Sequence, residues 1–410
     1  MTFRRRALFF VSGYRPELFG IGRYVPQYVD ALAEAGWNVD VRAPYPFYPS
    51  WNIDRTLPKV SEEHGGRVHV TRYAPFVPRR HNAATRALHE VSIGISACRH
   101  LLSATRSADM VVAATPPLLG AVVAGWFARR SHRPCLVLAY DLVSDLASDA
   151  FGIAGRIPGS LMRSLEADLY ARASGVIALS DDMAARIRQL SGQGAAVSVI
   201  RIWADDELFR LDHDQAARGF RARLGISQDR RLVGFAGSFG RKQRLSELVN
   251  GLTALPAEFT SVLIGDGLER PELARLARLG PGDVRVLPPQ PPADLHAFLS
   301  ACDLSIVVAR TQHAGSLFPS KVANVLAAGS PILAMTTRGT ELATLLDKED
   351  LGMVCPGLER EEIRDAVRCG AELGRDQTRR ARCRAYAREH FNSQRAMARF
   401  TNHVHELLAE

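Results

Sequence analysis

The sequence predicts two doubly wound, Rossmann-like α/β domains that face each other across a cleft. Short apolar segments alternate with amphipathic segments along most of the 410 residues, a pattern typical of parallel sheets covered by helices on both faces. A polar segment at 212–229 interrupts the alternation, which then restarts. The length also exceeds what one core usually supports. We therefore expect an N-terminal domain at 1–205, a C-terminal domain at 206–385 and a closing helix at 386–410.

The elements of the first domain follow in order. The stretch RRALFFVSG is an apolar strand, and GIGRYVPQYVDALAEAGWNVDV is a glycine turn, an amphipathic helix and a second strand. Further strands are predicted at Val68–Arg72, Met110–Ala114, Cys135–Ala139 and Gly175–Leu179, and helices at about Arg86–Leu102, at the segment after Pro116-Pro117 up to Arg129, and at Gly159–Ala173.

The second domain repeats the design. Its strands are predicted in RLVGFAGSFG and at Ser261–Ile264, Val284–Leu287, Leu304–Val308 and Ile332–Met335. In doubly wound sheets, ligands bind beyond the carboxyl ends of the strands. The loops that follow these strands are therefore the candidate site.

Composition narrows the classes of function. The net charge is +9, which suits an anionic ligand or surface, but the basic residues are scattered and no nucleic-acid-binding motif is present. Six cysteines without a CxxC pair favour a reducing cytoplasm over a disulfide or zinc scaffold. The uncharged run Met110–Ala128 leaves a membrane span as an alternative, although Pro116-Pro117 near its middle favours a buried strand followed by a helix.

The first candidate loop contains Gly20, Ile21 and Gly22 ahead of a helix. It differs from a dinucleotide fingerprint because Val25 occupies the third glycine position and the expected acidic residue is missing. The loop is instead predicted to bring backbone N–H groups close to an anion or a substrate hydroxyl. An ordinary tight turn is the alternative.

The second candidate loop begins at Gly237 and Ser238. Arg241, Lys242 and Arg244 crowd the predicted start of the next helix, where cations repel one another unless an anion is bound. Lysine is rare in this chain, with four lysines among 52 basic residues. This rarity favours a functional role for Lys242, with a diphosphate as the expected ligand.

The third candidate is the stretch GSLFPSKVANVLAAGSPILA. Pro319 suits the first helical position and Gly329 the helix stop. Ser320, Lys321 and Asn324 are expected on one side of this helix, opposite a buried apolar face. A hydroxyl, an ammonium and a carboxamide at a helix start can bind phosphate and sugar hydroxyls together.

The chain resembles GT-B glycosyltransferases of the family 4 type, and within them the bacterial exopolysaccharide branch of colanic acid fucosyltransferase-like proteins. The resemblance runs nearly end to end, and the order of the blocks is more specific than any one of them. The blocks include GYRPELFGIGRYV, ATPPLLGAVVAGWFARR, RASGVIALSDDM, VIRIWADDELF, GSFGRKQRL, LIGDGLERPEL and PSKVANVLAAGSPILA.

The resemblance implies transfer of a sugar from a UDP- or GDP-sugar. In the wider family two glutamates flank this helix, the second holding the donor ribose, and the matching residues here are Ser316 and Asn324. The family's phosphate-binding arginine corresponds to Ser238, which leaves Lys242, aided by Arg241, as the matching cation. The exopolysaccharide branch is similar to this chain in that its PSK sequence is also followed by an asparagine.

The resemblance also implies a retaining mechanism, and no metal-binding loop is found, so the lysines are expected to replace a metal. Asp141, at the end of a predicted strand, is the candidate that orients or deprotonates the acceptor. Capping of the next helix is the alternative. No cofactor beyond the donor sugar nucleotide is expected.

The acceptor is predicted to be a saccharide, with a polyprenyl-linked saccharide as the candidate. A cytoplasmic protein is expected, and the amphipathic stretch RALHEVSIGISACRHLLSATR leaves peripheral contact with an anionic membrane open against simple packing on the sheet. Two further functions stay open: a non-catalytic nucleotide-sugar-binding protein and a GT-B epimerase.

Overall fold

The computed structural model describes residues 5–17, 20–47, 50–79, 83–145, 156–192, 194–240, 243–309 and 318–409. The chain divides into two compact units, one formed by Met1–Arg201 with Gln394–Glu410 and the other by Ile202–Ser393. They are called unit 1 and unit 2 below. The predicted boundary at residue 205 lies close to the start of unit 2.

Unit 1 contains a sheet whose eight described strands run in the order β3-β4-β2-β1-β5-β6-β7-β8. Neighbours are parallel except β3, which pairs antiparallel with β4. Its strands are β1 Arg6–Phe10, β2 Asn38–Pro44, β3 Val60–Glu63, β4 Val68–Tyr73, β5 Met110–Thr115, β6 Cys135–Ala139, β7 Gly175–Ala178 and β8 Val197–Val199. Its helices are α1 Ile21–Glu34, α2 Ala83–Leu101, α3 Ala104–Ser107, α4 Leu118–Arg130, α5 Arg156–Arg172 and α6 Asp181–Leu190.

Unit 2 contains a parallel sheet whose six described strands run in the order β11-β10-β9-β12-β13-β14. These strands are β9 Arg231–Ala236, β10 Phe259–Ile264, β11 Asp283–Leu287, β12 Leu304–Val308, β13 Ile332–Met335 and β14 Gly352–Val354. The helices are α7 His213–Arg223, α8 Leu245–Leu252, α9 Arg270–Ala277, α10 Pro292–Ala301, α11 Lys321–Ala327, α12 Glu341–Glu349, α13 Arg360–Leu373 and α14 Gln377–His390, and α15 Ser393–Leu407 leads back to unit 1.

Continuous apolar runs form the central strands because helices cover both faces of each sheet. All residues of β5, β6, β10 and β12 are buried. The uncharged run Met110–Ala128 accordingly divides into β5 and most of α4, so the membrane-span alternative is wrong. Across the described ranges, no helix is long and apolar enough to span a membrane.

The C-terminal helix α15 packs against unit 1. The ring centroids of Phe400 and Tyr28 lie 4.5 Å apart, and both side chains are fully buried. His405 stacks on Trp37, and the backbone of Gly175 lies against the side chains of His403 and Leu407. The last helix is therefore part of the core of unit 1.

Replacing Phe400 should destabilise unit 1. Phe400→Ala removes a fully buried ring, and we expect the free energy of unfolding to fall by about 3–5 kcal/mol because a cavity remains. The neighbouring exposed residue gives the control, Arg399→Ala, with an expected change within about 0.5 kcal/mol. Urea unfolding measures both. Equal stabilities of the two variants would show that α15 contributes no core packing.

Candidate functional site

The glycine that ends β9 makes room for a lysine. Gly237 has φ +155°, a backbone conformation that side chains with a Cβ rarely adopt, and a Cβ at this position would lie 2.5 Å from Lys321 Nζ. Its N–H donates to the carbonyl of Ile264 at 3.0 Å, which fixes the turn to the neighbouring strand β10. Gly237 thus leaves room for the ammonium, which a Cβ at this position would displace.

Lys321 holds its ammonium in an apolar enclosure. It is the first residue of α11, and its Nζ lies 4.4 Å from the centroid of the Phe235 ring on β9. The Nζ atom is buried and has no hydrogen-bond partner within the described residues. Burial lowers the pKa of Lys321 to about 8. At neutral pH the group is still mainly charged, so a cation lies under the loop that follows β9.

The rest of the loop after β9 is described in part. Ser238 accepts a hydrogen bond from Gln243 Nε2 at 3.3 Å. The guanidinium of Arg244, the residue before α8, donates to Glu247 at 2.7 Å. Part of its charge is therefore compensated within the protein, and its contact with an anion stays a prediction. Arg241, Lys242 and Ser316 lie outside the described residues.

Asn324 forms two hydrogen bonds with Asp205, one as acceptor and one as donor. Its Oδ1 accepts the backbone N–H of Asp205 at 2.9 Å, and its Nδ2 donates to Asp205 Oδ2 at 3.0 Å. The same carboxylate oxygen lies 2.9 Å from Nε2 of the buried His296. Asn324 is only 9% exposed, so it does not share an open face with Ser320, which is exposed.

The start of α11 also differs from the prediction. The helix begins at Lys321 and not at Pro319, with Ser320 immediately before it. Its end is as predicted, since Gly329 follows α11 with φ +79°. The shift by two residues places Lys321, with its backbone N–H, in the first turn.

In unit 1, the first glycine loop is tightly packed. Gly20 has φ +55° and Ile21 begins α1. A Cβ at Gly22 would lie 2.9 Å from the Cβ of Glu17, a buried carboxylate side chain that sequence reasoning missed. The described contacts explain Gly22 by close packing, and the binding role of Gly20, Ile21 and Gly22 stays a prediction.

Asp141 follows directly after Tyr140, whose N–H donates to the carbonyl of Thr115 at 3.0 Å. Burial, followed by the nearby Glu166 carboxylate, raises the pKa of Asp141 to about 6. A group with this pKa exchanges its proton near neutral pH, as a general base requires. Asp145, four residues on, is instead paired with Arg186.

No cluster of three or more His, Cys, Asp or Glu side chains that could hold a metal ion occurs within the described ranges. Two charged groups are considered further: the Lys321 ammonium beside the loop after β9, and the Asp141 carboxyl group after β6.

Comparisons with known proteins agree with this architecture. Residues 19–203 match the family described as Glycosyl transferase 4-like domain, and residues 218–390 match Glycosyl transferases group 1. The chain is similar to WcaI of Escherichia coli (strain K12), named as a glycosyl transferase of colanic acid biosynthesis, with 25% identity over 351 residues, 83% of this chain and 86% of that protein.

Two solved structures share the fold. The chain is similar to sucrose-phosphate synthase from Thermosynechococcus elongatus, with a TM-score of 0.74 and 17% identity over 99% of this chain and 100% of that one. It is also similar to HepE of Anabaena in complex with UDP, with a TM-score of 0.70 and 18% identity over 98% and 100% of the two chains. The predicted fold class, two Rossmann-like α/β domains of the GT-B type, is confirmed.

Substitution of Gly237 should disturb the lysine enclosure. Gly237→Ala places a Cβ against Lys321 Nζ in a strained backbone conformation, and we expect a loss of about 1–3 kcal/mol in the free energy of unfolding. Gly240→Ala is the matched control in the same loop, because a Cβ there meets no atom of the described residues within 4 Å. Denaturant unfolding compares them. Two equally stable variants would contradict the close approach.

Proposed function

Because the chain belongs to the GT-B glycosyltransferases of the family 4 type, we propose that it transfers a sugar from a nucleotide diphosphate sugar to a saccharide acceptor in the biosynthesis of a cell-surface polysaccharide. The observation that carries the proposal is the buried ammonium of Lys321 under the glycine loop of unit 2. A buried charge without a partner is costly, and a diphosphate bound at this loop would offset that cost.

Charge stabilisation is the chemistry proposed for unit 2. When the sugar leaves its nucleotide, negative charge develops on the diphosphate, and cations fixed in a low-dielectric site stabilise it. Lys321 is held in place by Phe235 and Gly237, and Lys242 and Arg241 are proposed as further cations. With these groups, the reaction is proposed to proceed without a metal and with retention of the anomeric configuration.

The ribose is proposed to contact the pair formed by Asn324 and Asp205. The Asn324 amide already bonds Asp205 through both of its polar atoms, and the Asp205 side chain is 30% exposed. Position 324 lacks a carboxylate, but the Asp205 carboxylate that is hydrogen-bonded to Asn324 lies beside it. UDP is the favoured nucleotide because HepE, similar in fold, has been solved with UDP and with UDP-glucose.

Asp141 is proposed to contact the acceptor hydroxyl, since its pKa of about 6 lets it accept a proton at neutral pH.

A second function, nucleotide-sugar binding without turnover, is favoured by one observation: position 324 carries an amide that is hydrogen-bonded to Asp205. Turnover of a donor sugar with an acceptor distinguishes the two.

Nucleotide binding tests the donor site. We expect UDP or GDP to raise the melting temperature of the wild type, because a ligand at 100 times its Kd adds about 2.7 kcal/mol to stability. Lys321→Met keeps the side-chain volume beside Phe235 but removes the charge, and should abolish the shift, as should Lys242→Ala. The exposed Lys348 gives the control, Lys348→Ala, with an unchanged shift. No shift with any nucleoside diphosphate would sink the proposal.

A membrane surface is proposed as the place of the acceptor. One face of α2 leaves Leu88, Val91 and Ile95 about half exposed, at 50%, 45% and 49%, followed by Leu102 at 60%. Arg86 and Arg99 on the same helix are also exposed. An apolar stripe flanked by arginines suits the surface of an anionic leaflet, where a polyprenyl-linked saccharide would be found.

Vesicle binding tests this surface. The wild type should co-sediment with vesicles that contain anionic phospholipid, and the double variant Leu88→Ser with Ile95→Ser should lose most of that binding because two exposed apolar side chains no longer insert. Leu268→Ser, at an 84% exposed leucine of unit 2, is the control. Equal binding of wild type and double variant would contradict a role for the α2 face.

A further inference from the structure

The loop that carries Asp141 is fixed by a buried carboxylate from another element. Glu166 on α5 is fully buried, and its two carboxylate oxygens accept the backbone N–H groups of Val143 at 2.9 Å and Ser144 at 3.0 Å. The hydroxyl of Tyr170, one turn further along α5, donates to the same carboxylate at 3.0 Å. Glu166 therefore holds the backbone two and three residues after Asp141.

Asp145, the next residue along the chain, is held by a different helix. Asp145 is nearly fully buried, and its two oxygens accept hydrogen bonds from Arg186 of α6 at 3.2 and 3.0 Å. Among the described residues, Tyr170 of α5 interacts with both Asp141 and Glu166, and the Arg186 guanidinium of α6 interacts with Glu166 as well as with Asp145. Val143, Ser144 and Asp145 are thus all held by neighbouring helices, and these contacts fix the chain that follows Asp141.

The two carboxyl groups differ in how they are solvated. Glu166 accepts three hydrogen bonds that favour its ionised form, although burial itself raises its pKa. For Asp141, burial and the Glu166 charge both raise the pKa. When only one of the two is ionised, Glu166 therefore keeps the charge and Asp141 takes the proton.

We propose that Glu166 is the positioning residue of Asp141, holding the acceptor-side loop through its backbone N–H groups and setting, through its charge, when Asp141 is ready to accept a proton. The inference rests on the proposed function, in which Asp141 meets the acceptor. Glu166 itself acts only through Asp141. Its like charge makes Asp141 a stronger base than an isolated aspartate.

A titration without any substrate tests the electrostatic part. Infrared difference spectra of the full chain follow the C=O stretch of protonated carboxyl groups against pH. We expect the component of this signal that titrates near pH 6 to disappear in Asp141→Asn. In Glu166→Gln, which keeps a hydrogen-bond acceptor, this component should titrate about one unit lower because the like charge is gone. Survival of this component in Asp141→Asn, or an unshifted component in Glu166→Gln, overturns the inference.

The pH dependence of turnover tests the functional part. In the wild type, kcat should fall below about pH 6 as Asp141 becomes protonated. In Glu166→Gln this acidic limb of the pH–rate profile should move to lower pH by about one unit. Arg186→Met loosens the other anchor without removing the like charge, so it should lower kcat without moving the limb down.

The outcomes separate the two proposals. Equal loss of kcat at every pH in Glu166→Gln assigns Glu166 a purely structural role and overturns the inference. Absence of turnover with any donor, together with the shifted infrared band, overturns the transferase function and leaves the coupling of the two carboxyl groups established.

Discussion

The proposed donor site of unit 2 centres on the burial of one ammonium group. Lys321 places its charge against the Phe235 ring, where the described residues offer it no hydrogen-bond acceptor. The cation–π contact recovers part of the lost hydration, of the order of 2 kcal/mol when water is excluded. The rest must come from the packing of the surrounding core, since Val322, Val325 and Leu326 on the same helix are buried. The core therefore holds a cation in a place where a bound anionic ligand would complete its solvation.

Parallel sheet topology explains how the groups reach their positions. β9 lies between β10 and β12, so the loop after it is bordered by other strands, and Gly237 is tied to β10 through Ile264. In unit 1, Asp141 follows β6, between β5 and β7. Each unit thus presents a charged group at the carboxyl edge of its own sheet, where doubly wound proteins bind their ligands.

Much of the fold could be predicted because its strands are buried on both faces. Cys135–Ala139, Leu304–Val308 and Ile332–Met335 are found with the predicted bounds, since a continuous apolar run bounded by polar or turn residues leaves little freedom. The short strands β3, β8 and β14 were not predicted, because they are partly exposed and lack such runs.

The site was harder to predict because its contacts join residues that are far apart in the sequence. Lys321 was found from its rarity and its place at a helix start, but its enclosure by Phe235 comes from tertiary packing. Asn324 was expected on an open face, and its bonds to Asp205 span 119 residues. Glu166 gave no signal in the sequence, because a glutamate within an amphipathic helix is ordinarily solvated. The pair between Arg244 and Glu247 was recognisable from the spacing of three.

The charge of Lys321 can be measured directly by NMR, because the chain has four lysines and their signals can be told apart. NMR of the protein with carbon-13 at lysine Cε would follow each ammonium against pH, with Lys321→Met identifying the signal. The account predicts that Lys321 titrates near pH 8 in the free protein, and at higher pH once a nucleoside diphosphate is bound, since a bound anion favours the charged form. A Lys321 signal that titrates at the ordinary lysine value, or that the nucleotide leaves unchanged, would contradict the claim that this buried cation awaits the diphosphate.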